Sequence, residues 1–138
     1  MKKLEIVSDF ISRIDLEEYY NIAEIAENIV TLCDLDFDEH QTNTLAAALD
    51  TVIKAGEAVY GISTDVKQIV NSVIDGDYYL YEDVHDHEEL GEELLFDRLQ
   101  DDGFLEHLSQ FIDYDRYGFV YCNNHTCYFT AYGVLEVF

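Results

Sequence analysis

Proline is absent from this 138-residue chain, Lys and Arg together number 7, and no apolar run approaches the length of a membrane span. Each shortage excludes something. Without proline, elements must be ended by Gly and Asn, which suits a helix-rich chain. With so few bases, direct nucleic-acid binding is nearly excluded, because that affinity comes from Lys and Arg neutralising phosphates. Anionic membrane surfaces are disfavoured for the same reason. A bilayer crossing needs roughly 20 apolar residues. The opening stretch MKKLEIVSDFISRI carries Lys2 and Lys3, but Glu5 and Asp9 interrupt its apolar run and no small-residue cleavage site follows. It reads as an amphipathic helix and not as a signal peptide. Three cysteines (Cys33, Cys122, Cys127) without a secretory signal point to reduced thiols and a cytoplasmic protein.

What is abundant is acid: 30 Asp+Glu give a net charge of −23. Hydrophobic residues are 49% and aromatics 14%, too many for a disordered acidic tail, so the chain folds despite its own repulsion. The length allows one compact domain, or two small ones sharing a core.

Residues 2–13 place Leu4, Val7, Phe10, Ile11 and Ile14 at spacings of three and four, the period of an amphipathic helix. Asp15 can cap a second helix, in which Leu16, Tyr19, Ala23, Ala26 and Val30 form one apolar row and Ile22, Ile25 and Ile29 widen it. An acidic connector, 33–39, leads to a third helix over Glu39–Ala55, with Gly56 ending it. Ser63 or Thr64 can cap a fourth over Asp65–Ile74, ended by Asp75-Gly76. Tyr78, Tyr79 and Tyr81 then open a stretch, Asp75 to Glu106, with 13 acids and Arg98 as its one base. There Glu82–Leu99 reads as a helix, and after Asp101-Asp102-Gly103 comes a short one over Phe104–Ile112.

The last 22 residues change period. Tyr117–Cys122 and His125–Thr130 read as strands joined by a turn at Asn123-Asn124, with a third strand over Val134–Phe138. The expected fold is α+β, with a helical subdomain at 1–75 and acidic helices plus a three-stranded antiparallel sheet at 76–138.

The chemistry of sites is thin. Cys122-Asn-Asn-His-Thr-Cys127 suggests a metal knuckle, but the ligand set is incomplete for zinc. In the expected hairpin Cys122 faces His125 and Cys127 faces Val120, a diagonal arrangement that suits a direct disulfide poorly. Asp83, His85, Asp86, His87 and Glu88 could be imagined as a hydrolytic or metal cluster. On a helix, however, successive residues point about 100° apart, so a solvated face is the plainer reading. Nucleophile elbows, phosphate loops and dinucleotide fingerprints are absent, so no catalytic residue, metal or cofactor is assigned.

Acidity is therefore the main functional signal. Duplex DNA carries one charge per roughly 1.7 Å of axis, so the 23 net charges correspond to about 39 Å of duplex. A globule of this length has a diameter of roughly 37 Å. The protein carries about as much charge per unit length as DNA, which points to imitation of DNA for a basic nucleic-acid-binding cleft.

Particular strings sharpen this. Asp65-Val-Lys-Gln-Ile-Val-Asn-Ser-Val-Ile-Asp-Gly-Asp-Tyr-Tyr79, then Glu82-Asp83 before an acidic helix, is similar to the helical middle of the ArdA antirestriction proteins. Leu108-Ser-Gln-Phe-Ile-Asp-Tyr-Asp-Arg-Tyr-Gly118 and Ala131-Tyr-Gly-Val-Leu-Glu-Val137 resemble that family's C-terminal segment. Leu16-Glu-Glu-Tyr-Tyr-Asn-Ile-Ala-Glu-Ile-Ala26 resembles it more faintly, and the likeness spans roughly residues 40–138. The chain looks like a shortened member lacking the usual N-terminal β-rich domain.

The resemblance implies a phage or mobile-element protein that mimics bent DNA in the groove of a type I restriction-modification enzyme. The implied phosphate mimics are Asp75, Asp77, Glu82, Asp83, Asp86, Glu88, Glu89, Glu92, Glu93, Asp97, Asp101, Asp102, Glu106, Asp113 and Asp115. It also implies a homodimer through the C-terminal segment, where Tyr121, Tyr128, Tyr132 and Phe138 concentrate aromatic surface. A sheet of three strands has one face that its own helices can cover, and its last strand offers an open edge, so surplus area remains for a second copy. Two other readings keep the acidic surface: an anti-CRISPR protein in an effector's nucleic-acid channel, and an acidic protein–protein or immunity module.

Overall fold

The computed structural model describes residues 21–99, 103, 107, 108 and 110–138. The helix expected over 2–13, the cap at Asp15 and most of the short helix over Phe104–Ile112 lie outside the described residues. The fold is α+β, as the sequence predicts: five helices and a three-stranded antiparallel sheet are described. Among the described residues no helix is long and apolar enough to cross a membrane.

Local chemistry sets the first three helices. In α1 (Ile22–Leu32) the cap is Asn21, whose Oδ1 accepts from the Glu24 N–H at 3.3 Å. Helix α2 (Glu39–Ala55) keeps its predicted bounds. Asp38 Oδ1 accepts from the Gln41 N–H at 2.7 Å, while Gln41 Oε1 accepts from the Asp38 N–H at 3.1 Å. That reciprocal pair satisfies two donors the helix leaves open. At the other end Gly56, with φ 71°, takes the left-handed conformation that closes a helix at little cost to glycine. Helix α3 (Val66–Asp75) is capped by Asp65 and not by Ser63 or Thr64. The Asp65 carboxylate accepts from the Lys67 N–H at 3.0 Å, and Ser63 Oγ accepts from the Asp65 N–H.

From residue 78 the structure corrects the sequence reading. Tyr78–Glu82 forms strand β1, so the acidic helix does not begin at Glu82. Asp83 follows with φ 60°, and helix α4 runs from His87 to Leu99. Tyr114–Asn124 forms helix α5 where a strand over Tyr117–Cys122 is expected. Strands β2 (Thr126–Thr130) and β3 (Gly133–Val137) complete the chain, joined at Ala131-Tyr132 and not at Asn123-Asn124. Thr130 organises that turn: its Oγ1 accepts from the Tyr132 N–H at 3.1 Å and donates to the Gly133 carbonyl at 2.8 Å.

The reasons are tertiary. Aromatic and β-branched residues favour strands only weakly when packing decides otherwise. In α5, Asp113 Oδ1 caps the first turn from the Arg116 N–H at 3.1 Å, and Gly118 lies against the backbone of His87. A β-carbon at Gly118 would strike the His87 carbonyl, and one at Gly91 would strike the Tyr114 carbonyl. The two glycines therefore let α4 and α5 cross in backbone contact. The pairing of 87 with 118 and 91 with 114 makes the helices antiparallel.

The sheet order is β1-β3-β2, both pairs antiparallel, with Leu80 opposite Leu135 and Cys127 opposite Glu136. This last pairing replaces the expected hairpin register of Cys122 and Cys127. Alternation along the strands gives the sheet two working faces. Tyr78, Leu80 and Leu135 join the main core with Ile29, Leu45, Leu49, Ile69 and Val70 from α1–α3, so that core draws on both sides of residue 75. Tyr81, Val134 and Cys127 face the other way and pack with Val84, Leu90, Tyr121 and Cys122 from the α4–α5 side. The expectation that only one face would be covered is therefore wrong. The last strand is also no open edge: β3 is central, and β1 and β2 flank it.

Candidate functional site

The acidic surface is built on α4. Glu88, Glu89, Glu92 and Glu93 are exposed, while Leu90 and Gly91 are buried and Leu94 is half-buried. At about 100° per residue the four carboxylates fill a sector about 140° wide, opposite the packed side. They form two rows, Glu88–Glu92 and Glu89–Glu93, each with the four-residue spacing that brings side chains one above the other. Two charges every four residues is one per about 3 Å of helix axis. A single DNA strand carries one phosphate per about 3.4 Å. Because α5 runs antiparallel beside α4, Asp113 and Asp115 at its start lie along the middle turns of the acidic helix. Of the described acids, only Asp50 and Glu136 are buried.

The other predicted phosphate mimics divide by role. Asp86, Glu89 and Asp113 build helix starts: Asp86 Oδ1 accepts from the Glu89 N–H at 2.8 Å, Glu89 Oε2 from the His85 N–H at 3.0 Å, and Asp113 from Arg116. Glu82 is tied to α2, its Oε1 accepting from Asn43 Nδ2 at 3.0 Å with His40 Nδ1 at 3.4 Å. Asp83 is exposed at the left-handed corner between β1 and α4. Asp75 and Asp77 are exposed at the opposite end of β1, about 13 Å of strand away. The structure thus sets Glu88, Glu89, Glu92 and Glu93 on one side of α4, places Asp113 and Asp115 at the start of the neighbouring α5, and leaves Asp75 and Asp77 apart. The side chain of Asp97, and Asp101, Asp102 and Glu106, lie outside the described residues. Among the described residues no ion pair involves Glu88, Glu92, Glu93 or Asp115.

The candidate cluster around His85 and His87 does not converge. The His87 ring meets Phe119 and Phe129 edge-on at 5.5 and 4.9 Å between centroids. No group of three His, Cys, Asp or Glu side chains able to hold a metal occurs among the described residues. Cys122 on α5 and Cys127 on β2 pack against the same small core, and all three cysteines are free thiols. Of the aromatics expected at a dimer interface, Tyr121 donates to Glu136 and Tyr128 donates to the Tyr60 carbonyl at 2.6 Å. Tyr132 is half-buried, and Phe138 is 74% exposed.

One polar centre was not anticipated. Glu136 on β3 is 2% exposed, and its Oε1 accepts from Tyr81 at 3.0 Å and from Tyr121 at 2.7 Å. The signal was a lone acid in an apolar strand, Val134-Leu-Glu-Val137. Burial pushes the Tyr121 hydroxyl from 10.0 up to about 12, aided by the hydrogen bond it gives Glu136. Burial, then the neighbouring Cys122, pushes the Cys127 thiol from 9.0 up to about 12. Tyr81 moves in the same direction, chiefly by burial. Raised values in the fold mean that the neutral forms are favoured there. Their contribution to stability is complete below about pH 9 and is lost as pH rises through the folded values near 12. Thermal melting is expected to drop progressively between about pH 9 and 12. Tyr121→Phe should flatten part of that fall and lower stability at neutral pH by about 1 kcal/mol. A melting temperature that stays level from pH 8 to 11 would contradict this account.

No family model matches the chain, and neither a curated protein nor a solved structure does.

Proposed function

We propose that this protein is a non-enzymatic, cytoplasmic inhibitor that imitates DNA and occupies the DNA-binding groove of a type I restriction-modification enzyme. The observation that carries the reading is the double row of exposed carboxylates on α4, free of ion pairs to Lys or Arg among the described residues. Similarity of residues 40–138 to the ArdA antirestriction family supports the choice of target. In this reading the carboxylates replace phosphates against the enzyme's Lys and Arg, and no bond is made or broken. A homodimer belongs to the same reading, with an edge strand, β1 or β2, taking the place of β3, which is paired on both sides.

One observation favours a second target. A charge every 3 Å equals one strand and not the duplex, which suits the single-strand channel of a CRISPR effector. The test between them is inhibition of each purified enzyme across a salt series. Affinity for the true target should fall steeply with added salt, since charged contacts dominate the interface. Salt-independent binding would leave the mimicry reading without its physical basis.

A further inference from the structure

Among the described residues, the two faces of the sheet are packed very unequally. On the α1–α3 side Ile29, Leu45, Leu49, Ile69, Val70 and Leu135 are almost fully buried within one continuous core. On the α4–α5 side the fully packed apolar set among the described residues is Val84, Leu90 and Val134, edged by half-buried Tyr81, Leu94, Tyr121, Cys122 and Cys127. Helices α4 and α5, by contrast, hold each other closely, their backbones touching at Gly91 and Gly118. What fixes α5 to the sheet is substantially polar: Glu136 accepts from Tyr121 of α5 and Tyr81 of β1 through one oxygen.

The attachments suit a body that moves as a whole. Helix α4 leaves β1 through Asp83, which sits at φ 60°, an uncommon backbone region for a residue other than glycine. Helix α5 returns to β2 through His125, the single residue between Asn124 and Thr126. Glu82 pairs with Gly133, whereas Thr126 pairs with Val137, so the two attachments lie at diagonally opposite corners of the sheet. Segments with few buried apolar contacts open locally at lower free energy than the global core, and they open as contiguous units.

We propose that α4 and α5 lift from the sheet together as one strap, latched by Glu136, while α1–α3 and the sheet remain folded. The inference stands on packing and does not depend on what α4 binds. Buried hydrogen bonds to a carboxylate are worth more than neutral ones, so the latch sets how often the strap opens.

Native-state hydrogen exchange, resolved by peptide, tests it on the full chain. Amides of 87–99 and 114–124 should exchange at one shared rate, at least tenfold faster than those of 44–52 and 133–137. Tyr121→Phe should speed exchange in α4 and α5 roughly tenfold, and by the same factor in both helices. Glu136→Gln should act in the same direction and more strongly, and the milder tyrosine variant keeps the test open if that protein does not fold. Equal exchange across all helices, different rates for α4 and α5, or unchanged exchange of both in Tyr121→Phe would overturn the proposal.

Discussion

Neutralising Glu88, Glu92, Glu93, Asp115, Asp75 and Asp77 together as amides is expected to weaken inhibition at least tenfold while the fold persists. These six are exposed, and none caps a helix among the described contacts. An exposed charge pair contributes about 0.2–1 kcal/mol. Six would remove roughly 1–6 kcal/mol, or about tenfold to ten-thousandfold in affinity. Glu92→Gln alone should cost less than about fivefold, because the charge is spread over equivalent neighbours. Stability should hold or rise, since lowering a net charge of −23 relieves self-repulsion. Asp86 and Asp113 make the informative contrast. Their substitution by Ala should lower stability by about 1 kcal/mol through lost capping. The affinity loss should be no larger than that of any single charge. Titration of the purified target enzyme, with melting curves alongside, checks both halves. A single exposed substitution that eliminated inhibition in a folded protein would point instead to a hot-spot interface.

Substitution of Gly118 is the second large effect. A β-carbon there meets the His87 carbonyl, with the His87 carbonyl carbon and Cα at 2.8 and 3.1 Å. All three are backbone atoms, so no side chain can swing aside. In an open helix Gly→Ala would gain about 1 kcal/mol, whereas forcing volume into a packed contact costs typically 1–3 kcal/mol and sometimes more. Here the α4–α5 backbones must separate, so Gly118→Ala is expected to destabilise by about 2 kcal/mol or more. Gly91→Ala should behave alike, and the double variant should fall short of the sum because both disturb one crossing. Gly103 has open space around it, so Gly103→Ala should be neutral or stabilising. Thermal melting of the three variants decides the matter, and a Gly118→Ala protein as stable as its parent would refute the crossing geometry.

What could be read from the sequence was whatever local chemistry decides. The bounds of α2 were legible because Asp38 and Gly56 specify its ends from within a few residues. The exposed acids of α4 were legible because Leu90, Gly91 and Leu94 fall on the opposite side of a regular helix. Strand β1 was missed because its pattern of Tyr and Leu has meaning only beside β3, more than 50 residues away. Helix α5 was misread because Tyr, Phe and Val favour strands, while the deciding contact is between Gly118 and His87. The division of the acids was illegible too. Composition weighs Asp113 and Glu93 equally, yet one caps a helix and the other faces solvent. Glu136 has no role in the sequence reading, yet it is the buried acceptor of two tyrosines.

The most direct measurement of the central claim is equilibrium competition on a purified type I restriction enzyme. Labelled duplex containing its recognition site is held on the enzyme and the protein is titrated in. Mimicry predicts complete displacement of the duplex, mutual and concentration-dependent, with the midpoint moving in proportion to duplex concentration. A ternary complex of enzyme, duplex and this protein, or displacement that saturates short of completion, would contradict it.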